Sequence, residues 1–442
     1  MKALIDIATK RTRRVFLIGA ELKARTGLEV KDSLAELAEL AVTAGAVVVG
    51  QGAQKMETPT SGTYIGRGKA EEFAKFCEEN NVDTIIFDDE LSSSQGRNLE
   101  QIFGCKILDR TALILEIFGQ RARTREGKLQ VELAQLEYLL PRLTRFWSHL
   151  SRQAGGIGMR AGEGESQLES DRRRTQERID TIREELDHVR NKRATQRNGR
   201  QRNLWPLASI VGYTNAGKST LLNTLTGASV LAEDKLFATL DPTTRRLHLP
   251  TNQNVLLSDT VGFIRKLPHG LVQAFKATLE EVVQADLLLH VADLSHPQAK
   301  EQILAVNEVL NEIGAAHKPI LMVFNKLDRF EDRGICQNYR ELFPNSVFLS
   351  AKTGEGVAAL LAELGIRLRP VRLYLELAIP HSHAHAISIL HQAAQITDVK
   401  YGGPKARFKV RIPPHLRAEF EPYIVNDLTA TGTAPDAPEK AE

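Results

Sequence analysis

The sequence predicts a multidomain α/β protein whose central domain has a mixed sheet flanked by helices. Three observations lead to this fold class. Apolar strands alternate with helical segments over residues 13–120, leucines recur at steps of three or four residues from position 129, and a glycine-rich loop joins an apolar strand to a helix near residue 212. Alternation of strands and helices is typical of parallel sheets covered by helices.

Length and composition indicate a globular protein. The chain has 442 residues, of which 42% are hydrophobic and 26% charged, enough for several buried cores. It has no apolar run of the roughly 18–20 residues that span a bilayer, and its start, MKALIDIATKRTRR, lacks the pattern of a secretory leader. Cys77, Cys105 and Cys336 are scattered, as in proteins of a reducing cytosol. We therefore expect a cytoplasmic monomer without a membrane span.

Residues 1–125 form the first predicted unit, a small α/β domain. RRVFLIGAEL, AVVVG and DTIIFDDE are predicted strands, and KDSLAELAELAVTAG, GRGKAEEFAKFCEENN and LSSSQGRNLEQIFG are predicted helices. This order predicts a parallel sheet. GTYIGRGKAEEF contains three glycines but neither G-x-G-x-x-G nor a P-loop lysine, so we interpret it as a loop before a helix.

Residues 126–204 are predicted to form an antiparallel helical hairpin with a glycine-rich basic loop at residues 151–164. Apolar residues recur at helical steps on both sides of this loop, so each helix has a narrow apolar stripe. The pattern comprises Leu129, Leu133, Leu136, Leu140, Leu143 and Trp147 before the loop, and Ile179, Ile182, Leu186 and Val189 after it.

This helical segment is also the most basic part of the chain. Residues 121–202 contain 19 Lys and Arg against 12 Asp and Glu, an excess of seven, whereas the whole chain has a formal net charge of +3. The excess indicates a polyanionic partner, although a solvated helical face of mixed charge explains it equally well. With such a partner, Arg172, Arg173 and Arg174 would contact phosphates without base specificity.

A phosphate-binding loop is predicted at the start of the third unit, residues 205–369. GYTNAGKS, residues 212–219, fits G-x-x-x-x-G-K-[ST] and lies between an apolar strand and a predicted helix. Its glycines allow backbone N–H groups to turn towards phosphate oxygens. We expect Lys218 to reach the β- and γ-phosphates and Ser219 to bind Mg²⁺ at the helix N-terminus.

The magnesium side of the site is predicted from SDTVG, residues 258–262. Asp259 ends an apolar strand and would hold Mg²⁺ through water, while Gly262 would approach the γ-phosphate. The threonine that senses the γ-phosphate must lie between the P-loop and Asp259. KLFATLDPTTRR offers Thr239, Thr243 and Thr244 there, and the pattern alone does not choose among them.

Two later motifs predict that the base is guanine. In NKLD, Asp328 would accept hydrogen bonds from guanine N1–H and the exocyclic amine, Asn325 would read N7, and Lys326 would lie along the base. In SAK, residues 350–352, the backbone would contact guanine O6. Adenine lacks the paired donors and would leave Asp328 unsatisfied. The third unit is therefore predicted to be a P-loop GTPase domain that binds GTP and GDP and uses Mg²⁺.

These motifs resemble those of the HflX family of Obg–HflX-like translation GTPases. GYTNAGKST, LFATLDPTTR and DTVGFIRKLPH carry the resemblance, together with GTYIGRGK and GGIGMRAGEGE outside the third unit, so it covers most of the chain. It implies that Thr239 is the Mg²⁺-binding switch threonine. It also implies that the partner is the large ribosomal subunit, with its RNA and proteins, and that the N-terminal unit and hairpin loop face the peptidyl-transferase region.

The candidate site residues follow from the motifs and from this resemblance. The catalytic candidates are Lys218, Thr239 and Gly262, and the metal candidates are Ser219, Thr239 and, through water, Asp259. The GTP-binding candidates comprise Gly212, Tyr213, Thr214, Asn215, Ala216, Gly217, Lys218, Ser219, Phe237, Ala238, Thr239, Leu240, Asp241, Asp259, Thr260, Val261, Gly262, Asn325, Lys326, Leu327, Asp328, Ser350, Ala351 and Lys352.

Phe263 stands where many GTPases have the glutamine that orients the attacking water. A phenyl ring forms no such hydrogen bond, and the HflX family has a hydrophobic residue at this position. We therefore expect slow intrinsic hydrolysis that the partner accelerates. Asn215 matches a P-loop asparagine that helps to bind K⁺ in related GTPases, so K⁺ is a candidate activator; an asparagine that caps its own turn is the alternative.

Residues 370–427 are predicted to form a small α+β domain, followed by a polar tail, residues 428–442, that we expect to be disordered. RLYLELAI and ARFKVRIP alternate as strands, and HSHAHAISILHQAAQI is a predicted helix. His381 and His385 would share a helical face, but no third ligand is evident, so a metal site is not expected there.

Two functions fit these residues. In the first, the protein is a ribosome-activated GTPase that acts in splitting or rescue of stalled ribosomes or in ribosome assembly. In the second, it is a GTP-gated anti-association or assembly factor in which hydrolysis only recycles the protein. Strong stimulation by ribosomes favours the first, and function with a non-hydrolysable analogue favours the second. An RNA-remodelling ATPase is disfavoured because Asp328 selects guanine and no second motor core is evident.

Overall fold

The computed structural model describes residues 12–23, 27–143, 161–201, 205–227, 236–251, 253–266, 276–330, 334–368, 373–412 and 416–428. Trp147, residues 151–160 of the predicted glycine-rich loop and the predicted disordered tail beyond residue 428 lie outside these ranges. No helix within them combines the length and apolar character needed to cross a bilayer.

The N-terminal unit is a parallel sheet with helices on both faces. Its strands are β1 (Arg14–Leu22), β2 (Val47–Met56), β3 (Thr84–Phe87) and β4 (Lys106–Asp109), and its helices are α1 (Gly27–Thr43), α2 (Arg67–Glu79), α3 (Ser93–Phe103) and α4 (Arg110–Arg121). The strands pair in the order β2-β1-β3-β4 and all pairs are parallel. Helices α1 and α4 cover one face, and α2 and α3 cover the other. The predicted parallel sheet is confirmed; the sequence interpretation missed β4 and α4.

The helical segment consists of α5 (Arg125–Leu143) and α6 (Ala161–Gln201). Their apolar stripes meet in one cluster, which contains Leu129, Leu133, Leu136, Leu140, Ile179, Ile182 and Leu186. The predicted antiparallel direction agrees with two ion pairs, Arg125–Glu185 at 2.9 Å and Glu132–Arg178 at 2.8 Å. Because α6 begins at Ala161, residues 161–164 are helical, and their assignment to the loop was wrong.

The third unit is a six-stranded mixed sheet with helices on both faces, as predicted. Its strands pair in the order β10-β9-β8-β5-β7-β6, and the β6–β7 pair is antiparallel while the other pairs are parallel. Parallel β5, β7, β8 and β9 end at one edge, where the motifs follow them. The strands are β5 (Leu207–Gly212), β6 (Thr243–Leu249), β7 (Gln253–Asp259), β8 (Leu287–Asp293), β9 (Ile320–Asn325) and β10 (Ser346–Phe348). The helices are α7 (Lys218–Thr226), α8 (Lys276–Gln284), α9 (Ala299–Glu312), α10 (Gly334–Leu342) and α11 (Val357–Arg367), with a 3₁₀ turn at Leu327–Arg329.

The C-terminal unit is an antiparallel sheet with helices on one face. It contains β11 (Leu373–Pro380), α12 (Ala384–Ala393), β12 (Gln395–Gly402), β13 (Lys405–Ile412), α13 (Arg417–Phe420), a 3₁₀ turn at Glu421–Tyr423 and β14 (Ile424–Asp427). The strand order is β12-β13-β11-β14. The predicted α+β class is confirmed. Strands β12 and β14 were missed, and β12 begins within the segment predicted as helix.

The histidines of the C-terminal unit do not share a helical face. Helix α12 begins at Ala384, so His381 lies before it and stacks on Tyr401 with ring centroids 6.4 Å apart. His383 Nδ1 lies 2.9 Å from the Tyr423 hydroxyl. Within the described ranges no group of three or more His, Cys, Asp or Glu residues could hold a metal ion.

One hydrophobic cluster crosses the boundary between the N-terminal unit and the third unit. It joins residues of α1 and α4 to the strand and loop residues around the phosphate-binding loop. Phe118 of α4 meets Phe237 edge to face, with ring centroids 4.7 Å apart. An aromatic pair of this geometry adds to the stabilisation that apolar burial provides. The two units therefore share an apolar core.

A series of polar contacts also joins the two units. Tyr213 donates its hydroxyl to Glu36 of α1, and Glu36 also pairs with Arg110 of α4. Arg110 pairs with Asp88 at 2.9 Å, and Asp88 pairs with Lys266 from the loop after β7. Because Arg110 and Asp88 are almost fully buried, each charge depends on its partners for solvation.

Candidate functional site

The phosphate-binding loop has the backbone that its glycines allow. Strand β5 ends at Gly212 and α7 begins at Lys218, so the loop opens onto a helix N-terminus. Gly217 has φ of 93°, in the left-handed region, and a side chain there would run into the Asn325 amide. Glycine is therefore required at position 217 for both conformation and space.

Lys218 is buried at this helix start. Its Nζ donates to the Tyr213 carbonyl over 2.7 Å, and only 6% of the residue is exposed. Burial lowers the pKa of Lys218 to about 8, and the nearby Asp259 carboxylate opposes that shift. A phosphate would supply the counter-charge that this lysine has only in part.

Three oxygen-bearing side chains meet beside Lys218. Ser219 Oγ lies 2.8 Å from Thr239 Oγ1 and donates to Asp259 Oδ2 over 2.7 Å. Asp259 is fully buried, and burial raises its pKa while Lys218 and the two hydroxyls lower it. Its Oδ1 has no hydrogen-bond partner among the described residues. Hard oxygen donors with an unsatisfied carboxylate atom fit Mg²⁺, so the residues present suit the predicted metal.

The three candidate switch threonines occupy different places. Thr239 lies in the group just described, whereas Thr243 and Thr244 open strand β6. The Thr244 hydroxyl donates to Glu281 of α8 over 3.2 Å. Geometry therefore favours Thr239, the residue that the family resemblance selects.

These groups line a cleft above the ends of β5 and β7. The lining residues are Thr214, Asn215, Gly217, Lys218, Ser219, Thr220, Phe237, Ala238, Thr239, Thr260 and Gly262. Thr214 Oγ1 is buried without a partner among the described residues. A Cβ at Gly262 would lie 3.0 Å from Lys218 Nζ, so the glycine keeps the cleft open. The sequence interpretation missed Thr220, although it follows Ser219 in the same motif.

Asn325 connects two loops of the base side. Its amide nitrogen donates to the Ala216 carbonyl over 2.9 Å, and its oxygen accepts from the Ala351 backbone N–H over 2.9 Å. The residue therefore ties the phosphate-binding loop to the SAK motif. One N–H of the Asn325 amide is used in this way, and its second N–H remains as a donor for N7 of the base.

Asp328 lies at the open end of the same side. Ser350 Oγ donates to its Oδ1 over 2.6 Å, and this hydrogen bond lowers the pKa of Asp328. The exposed carboxylate is thus kept ionised, as an acceptor for two guanine donors requires. Lys326 has φ of 66° and pairs with Asp293 over 2.7 Å.

The side chain of Phe263 does not enter the cleft. Its backbone runs beside the phosphate-binding loop, because Thr214 N donates to Phe263 O over 2.8 Å and Phe263 N donates to Gly212 O over 3.1 Å. The ring is only 2% exposed and belongs to the cluster shared with the N-terminal unit. The residue in the glutamine position therefore supports the interface and cannot orient a water.

Leu240 and Asp241, which are also GTP-binding candidates, do not line the cleft. Leu240 is buried in the shared cluster. Asp241 accepts hydrogen bonds from the backbone N–H groups of Arg123 and Thr124, each over 3.0 Å. The loop that contains Thr239 is therefore attached to the start of α5. No sequence signal in the FATLD motif indicates this contact.

Asn215 has φ of 59° and an exposed side chain. Among the described residues its side chain has no hydrogen-bond partner, so the structure gives no sign that it caps its own turn. Its amide oxygen is free to bind a ligand at the rim of the cleft.

His290 lies on β8 under the site and is 1% exposed. Burial lowers its pKa to about 4, and the charge of Lys218 adds to this effect. Nδ1 has no partner in the described part of the chain. The imidazole is therefore neutral at ordinary pH.

Three family models match the chain. They are described as GTP-binding GTPase N-terminal over residues 31–119, GTP-binding GTPase Middle Region over residues 121–200, and 50S ribosome-binding GTPase over residues 208–326. Together they follow the first three structural units in order.

The chain is similar to several proteins called GTPase HflX. That of Magnetococcus marinus is 48% identical over 389 residues, covering 88% of this chain and 90% of the relative. That of Lacrimispora saccharolytica is 50% identical and covers 89% and 92%. That of Escherichia coli is 50% identical and covers 76% and 79%.

Solved structures similar to this one include a GTP-binding protein from Sulfolobus solfataricus in complex with GDP. It is 25% identical, with a TM-score of 0.43, and covers 81% of this chain and 99% of the other. A crystal structure of an SsGBP and GDP complex is 26% identical, with a TM-score of 0.45.

Proposed function

Because this chain belongs to the HflX family of GTPases, we propose that it acts on the large ribosomal subunit and that the subunit accelerates its slow GTP hydrolysis. The work done there is splitting or rescue of stalled ribosomes, or ribosome assembly. The protein acts in the cytoplasm as a monomer, with Mg²⁺ as its cofactor.

One observation carries the proposal. The site has the groups that hold a nucleotide, but the side chain in the water-orienting position is buried in the shared hydrophobic cluster. Binding is therefore provided by this chain, whereas the last catalytic contact must come from elsewhere. The family model for the third unit, described as a 50S ribosome-binding GTPase, supports the ribosome as its source.

The chain's own residues account for nucleotide binding. Backbone N–H groups of residues 212–219 and Lys218 hold the phosphates, and the N-terminus of α7 adds favourable potential. Asp328 accepts the guanine donors and Asn325 fixes the base edge. ATP would leave the Asp328 carboxylate unpaired, so guanine is selected.

Ser219 and Thr239 would hold Mg²⁺ directly, and Asp259 would hold it through water. The metal would neutralise charge that develops on the β- and γ-phosphate oxygens. Gly262 would offer its backbone N–H to the γ-phosphate, because the missing Cβ permits close approach. Lys218 would keep its proton on Nζ throughout and stabilise the same charge.

The attacking water needs a group that this chain does not place there. We propose that a ribosomal group supplies it, and that K⁺ bound beside Asn215 contributes positive charge. The exposed amide of Asn215, which has no partner within the described ranges, supports the K⁺ proposal. A GTP turnover rate that does not change when K⁺ replaces Na⁺, with subunits present, would remove K⁺ from the mechanism.

The test is GTP turnover by the full chain, alone and with purified large ribosomal subunits. We expect stimulation of at least about a hundredfold, which corresponds to roughly 2.7 kcal/mol of barrier. Small ribosomal subunits at the same concentration are the matched control. Equal rates with and without large subunits, while GTP still binds, would contradict the proposal.

The second function, a GTP-gated anti-association or assembly factor, makes a different prediction. It requires subunit separation or assembly to proceed with a non-hydrolysable GTP analogue at the rate seen with GTP. Light scattering of ribosomes measures separation in both conditions. The same binding residues serve either function, so the analogue is the reagent that separates them.

The helical hairpin is the proposed site of contact with ribosomal RNA. Arg173, Arg178 and Arg183 are engaged with glutamates, whereas Arg172 and Arg174 are exposed and have no partner among the described residues. Reversing both free charges, Arg172→Glu/Arg174→Glu, should weaken subunit binding and lower its dependence on salt. Unchanged affinity would remove the hairpin from the RNA interface.

A further inference from the structure

The C-terminal sheet has one covered face and one open face. Leu375, Leu377, Phe408 and Val410 point to the covered face, where they pack with Leu390 of α12 and Phe420 of α13. The cluster contains only residues of the C-terminal unit. The alternate residues of each strand lie on the open face, since successive side chains point to opposite sides of a sheet.

Positive charge is concentrated on the open face. Strand β13 contributes Lys405, Arg407, Lys409 and Arg411 in unbroken alternation, and β12 contributes Lys400, which pairs in register with Arg407. Five of the six Lys and Arg residues among residues 373–428 are therefore on this face, against two of the five Asp and Glu residues. Those two acids, Glu376 and Asp398, both flank Lys409.

Most of these positive charges form no ion pair within the part of the chain that the structure describes. Lys400, Lys405, Arg407 and Lys409 have neither an ion pair nor a side-chain hydrogen bond with any residue that the structure describes. Arg417, the remaining cation of this unit, lies elsewhere and pairs with Asp427 over 2.8 Å. The basic helical hairpin is more mixed, because Arg125, Arg173, Arg178 and Arg183 are paired with glutamates there, whereas Arg172 and Arg174 have no partner among the described residues.

The topology of this unit agrees with the concentration of positive charge on its open face. The strands follow one another as β-α-β-β-α-β and lie in the order β12-β13-β11-β14, with antiparallel pairs throughout. This is the split β-α-β arrangement, in which RNA-recognition domains use the open sheet face to bind RNA. Topology alone does not assign a function, so the charges carry the inference and the topology agrees with them.

We propose that the open face of the C-terminal sheet binds the sugar–phosphate backbone of single-stranded RNA. Residues two apart on a strand are separated by about 7 Å, so Lys405, Arg407, Lys409 and Arg411 present a row of cations along which successive phosphates can lie. Tyr374 faces the same side, but the Arg411 guanidinium already covers its ring at 5.5 Å. Binding is therefore electrostatic and carries little base specificity.

This inference deepens the proposed function, because it names a second surface for ribosomal RNA. It can nevertheless be tested without ribosomes or nucleotide. Failure of subunit-stimulated turnover would overturn the proposed function and leave this surface standing. Failure of the measurements below would overturn this surface and leave the GTPase proposal standing.

The first measurement is fluorescence anisotropy of a labelled oligouridylate with the full chain. The variant Arg407→Glu/Lys409→Glu should bind about tenfold more weakly or worse. The slope of log affinity against log salt concentration should become shallower by about 1.4, since each lost phosphate contact on a single strand removes about 0.7. Affinity and slope equal to those of the unchanged protein would overturn the proposal.

The matched control is Lys75→Glu/Lys300→Glu. Both lysines are exposed, lie on α2 and α9, and have no partner among the described residues. The change in net charge is the same as in Arg407→Glu/Lys409→Glu. We expect this variant to bind oligouridylate as the unchanged protein does. An equal loss of affinity in both variants would overturn the proposal, because net charge alone would then explain binding.

The second measurement needs no substitution. Acetylation of lysines by an N-hydroxysuccinimide ester, followed by mass spectrometry, should show that oligouridylate protects Lys400, Lys405 and Lys409 but not Lys75 or Lys300. Protection that is absent from the three sheet lysines would overturn the proposal. Polyglutamate that protects them as strongly as RNA does would also overturn it, in favour of an acidic protein partner.

Discussion

At the scale of single residues, we expect guanine selection to depend on the charge of Asp328. The change Asp328→Asn replaces an acceptor of two hydrogen bonds with a group that also donates, so the exocyclic amine of guanine faces a donor and loses its acceptor. We expect affinity for GTP to fall roughly a hundredfold. Affinity for xanthosine triphosphate should rise, because its second carbonyl accepts from the asparagine amide. Titration of the two nucleotides by calorimetry measures both effects.

The control for this substitution is Asp187→Asn on α6, which lies outside the cleft. It should leave both affinities unchanged. Guanine binding by Asp328→Asn that equals binding by the unchanged protein would contradict the assignment of NKLD to base recognition.

Acid sensitivity is expected from His290. Its pKa is lowered to about 4 from an ordinary value of 6.5, so the unfolded chain takes up a proton as pH falls below 6.5 while the folded chain does not. The free energy of unfolding therefore decreases between pH 6.5 and pH 4, by roughly 3 kcal/mol from this residue. Denaturant unfolding of the nucleotide-free protein across this range should show it.

The variant His290→Leu should lose this part of the pH dependence, because leucine has no proton to take up. His317 is exposed on the loop after α9, so His317→Leu is the control and should keep the full dependence. The same pH slope in both variants would show that other groups cause the acid sensitivity.

At the scale of elements, the start of helix α5 is capped by Asp241, a residue of the GTPase domain. Asp241 accepts from the N–H groups that precede the helix, and Gly127 leaves room for its carboxylate. A Cβ at position 127 would lie 2.5 Å from Asp241 Oδ1. We expect Gly127→Ala to destabilise the protein by about 1–2 kcal/mol and to increase hydrogen exchange at residues 123–127, as lost caps do.

Gly119→Ala in α4 is the matched control for this change. Its added Cβ would meet only ordinary contacts, and alanine favours helix, so stability should stay equal or rise by a few tenths of a kcal/mol. Combining Gly127→Ala with Asp241→Ala should add little further loss of stability, because the two substitutions break the same contact. Additive losses would show that the cap and the glycine act separately.

The elements predicted correctly are those with a clear period in the sequence. The apolar stripes of α5 and α6 and the alternation of β11 and β13 come from packing within one unit, and periodicity reports such packing. Strand β12 was missed because Gln395 and Ile396 continue the pattern of α12 until hydrogen bonds to β13 take over. Strand β4 has four residues, too few to show a period.

In the site, the motifs predicted the phosphate, magnesium and guanine sides because each motif is local to a strand end. The structure brings Ser219, Thr239 and Asp259 together as that interpretation expects. Leu240 and Asp241 could not be assigned from sequence, because Asp241 bonds to backbone N–H groups more than a hundred residues away in the chain and Leu240 packs in a cluster that joins two units. Local patterns carry no information on contacts between units.

For the whole molecule, the shared cluster makes the N-terminal unit and the GTPase domain one cooperative body, while the C-terminal core is separate. Calorimetry of the full chain should therefore show one transition for the N-terminal unit together with the GTPase domain and another for the C-terminal unit. Phe118→Ala should lower the midpoint temperature of the first of these transitions only. The free energy of unfolding should fall by about 3–5 kcal/mol, because the substitution removes a buried aromatic side chain.

Phe408→Ala is the counterpart in the C-terminal core and should lower only the midpoint temperature of the C-terminal transition. If Phe118→Ala left the unfolding of the GTPase domain unchanged, the two units would not share a core in solution. Separate transitions for the N-terminal unit and the GTPase domain would also contradict a shared core.

The burial of Phe263 also limits how this enzyme can evolve. A single change to glutamine would place an amide inside the apolar interface, while the backbone would stay bonded to the phosphate-binding loop. The protein would therefore lose stability without gaining a water-orienting group. A return to self-sufficient hydrolysis would need several coordinated changes across two units. The architecture of the protein would therefore preserve the proposed dependence on an outside activator, even where selection on catalytic rate would favour independence.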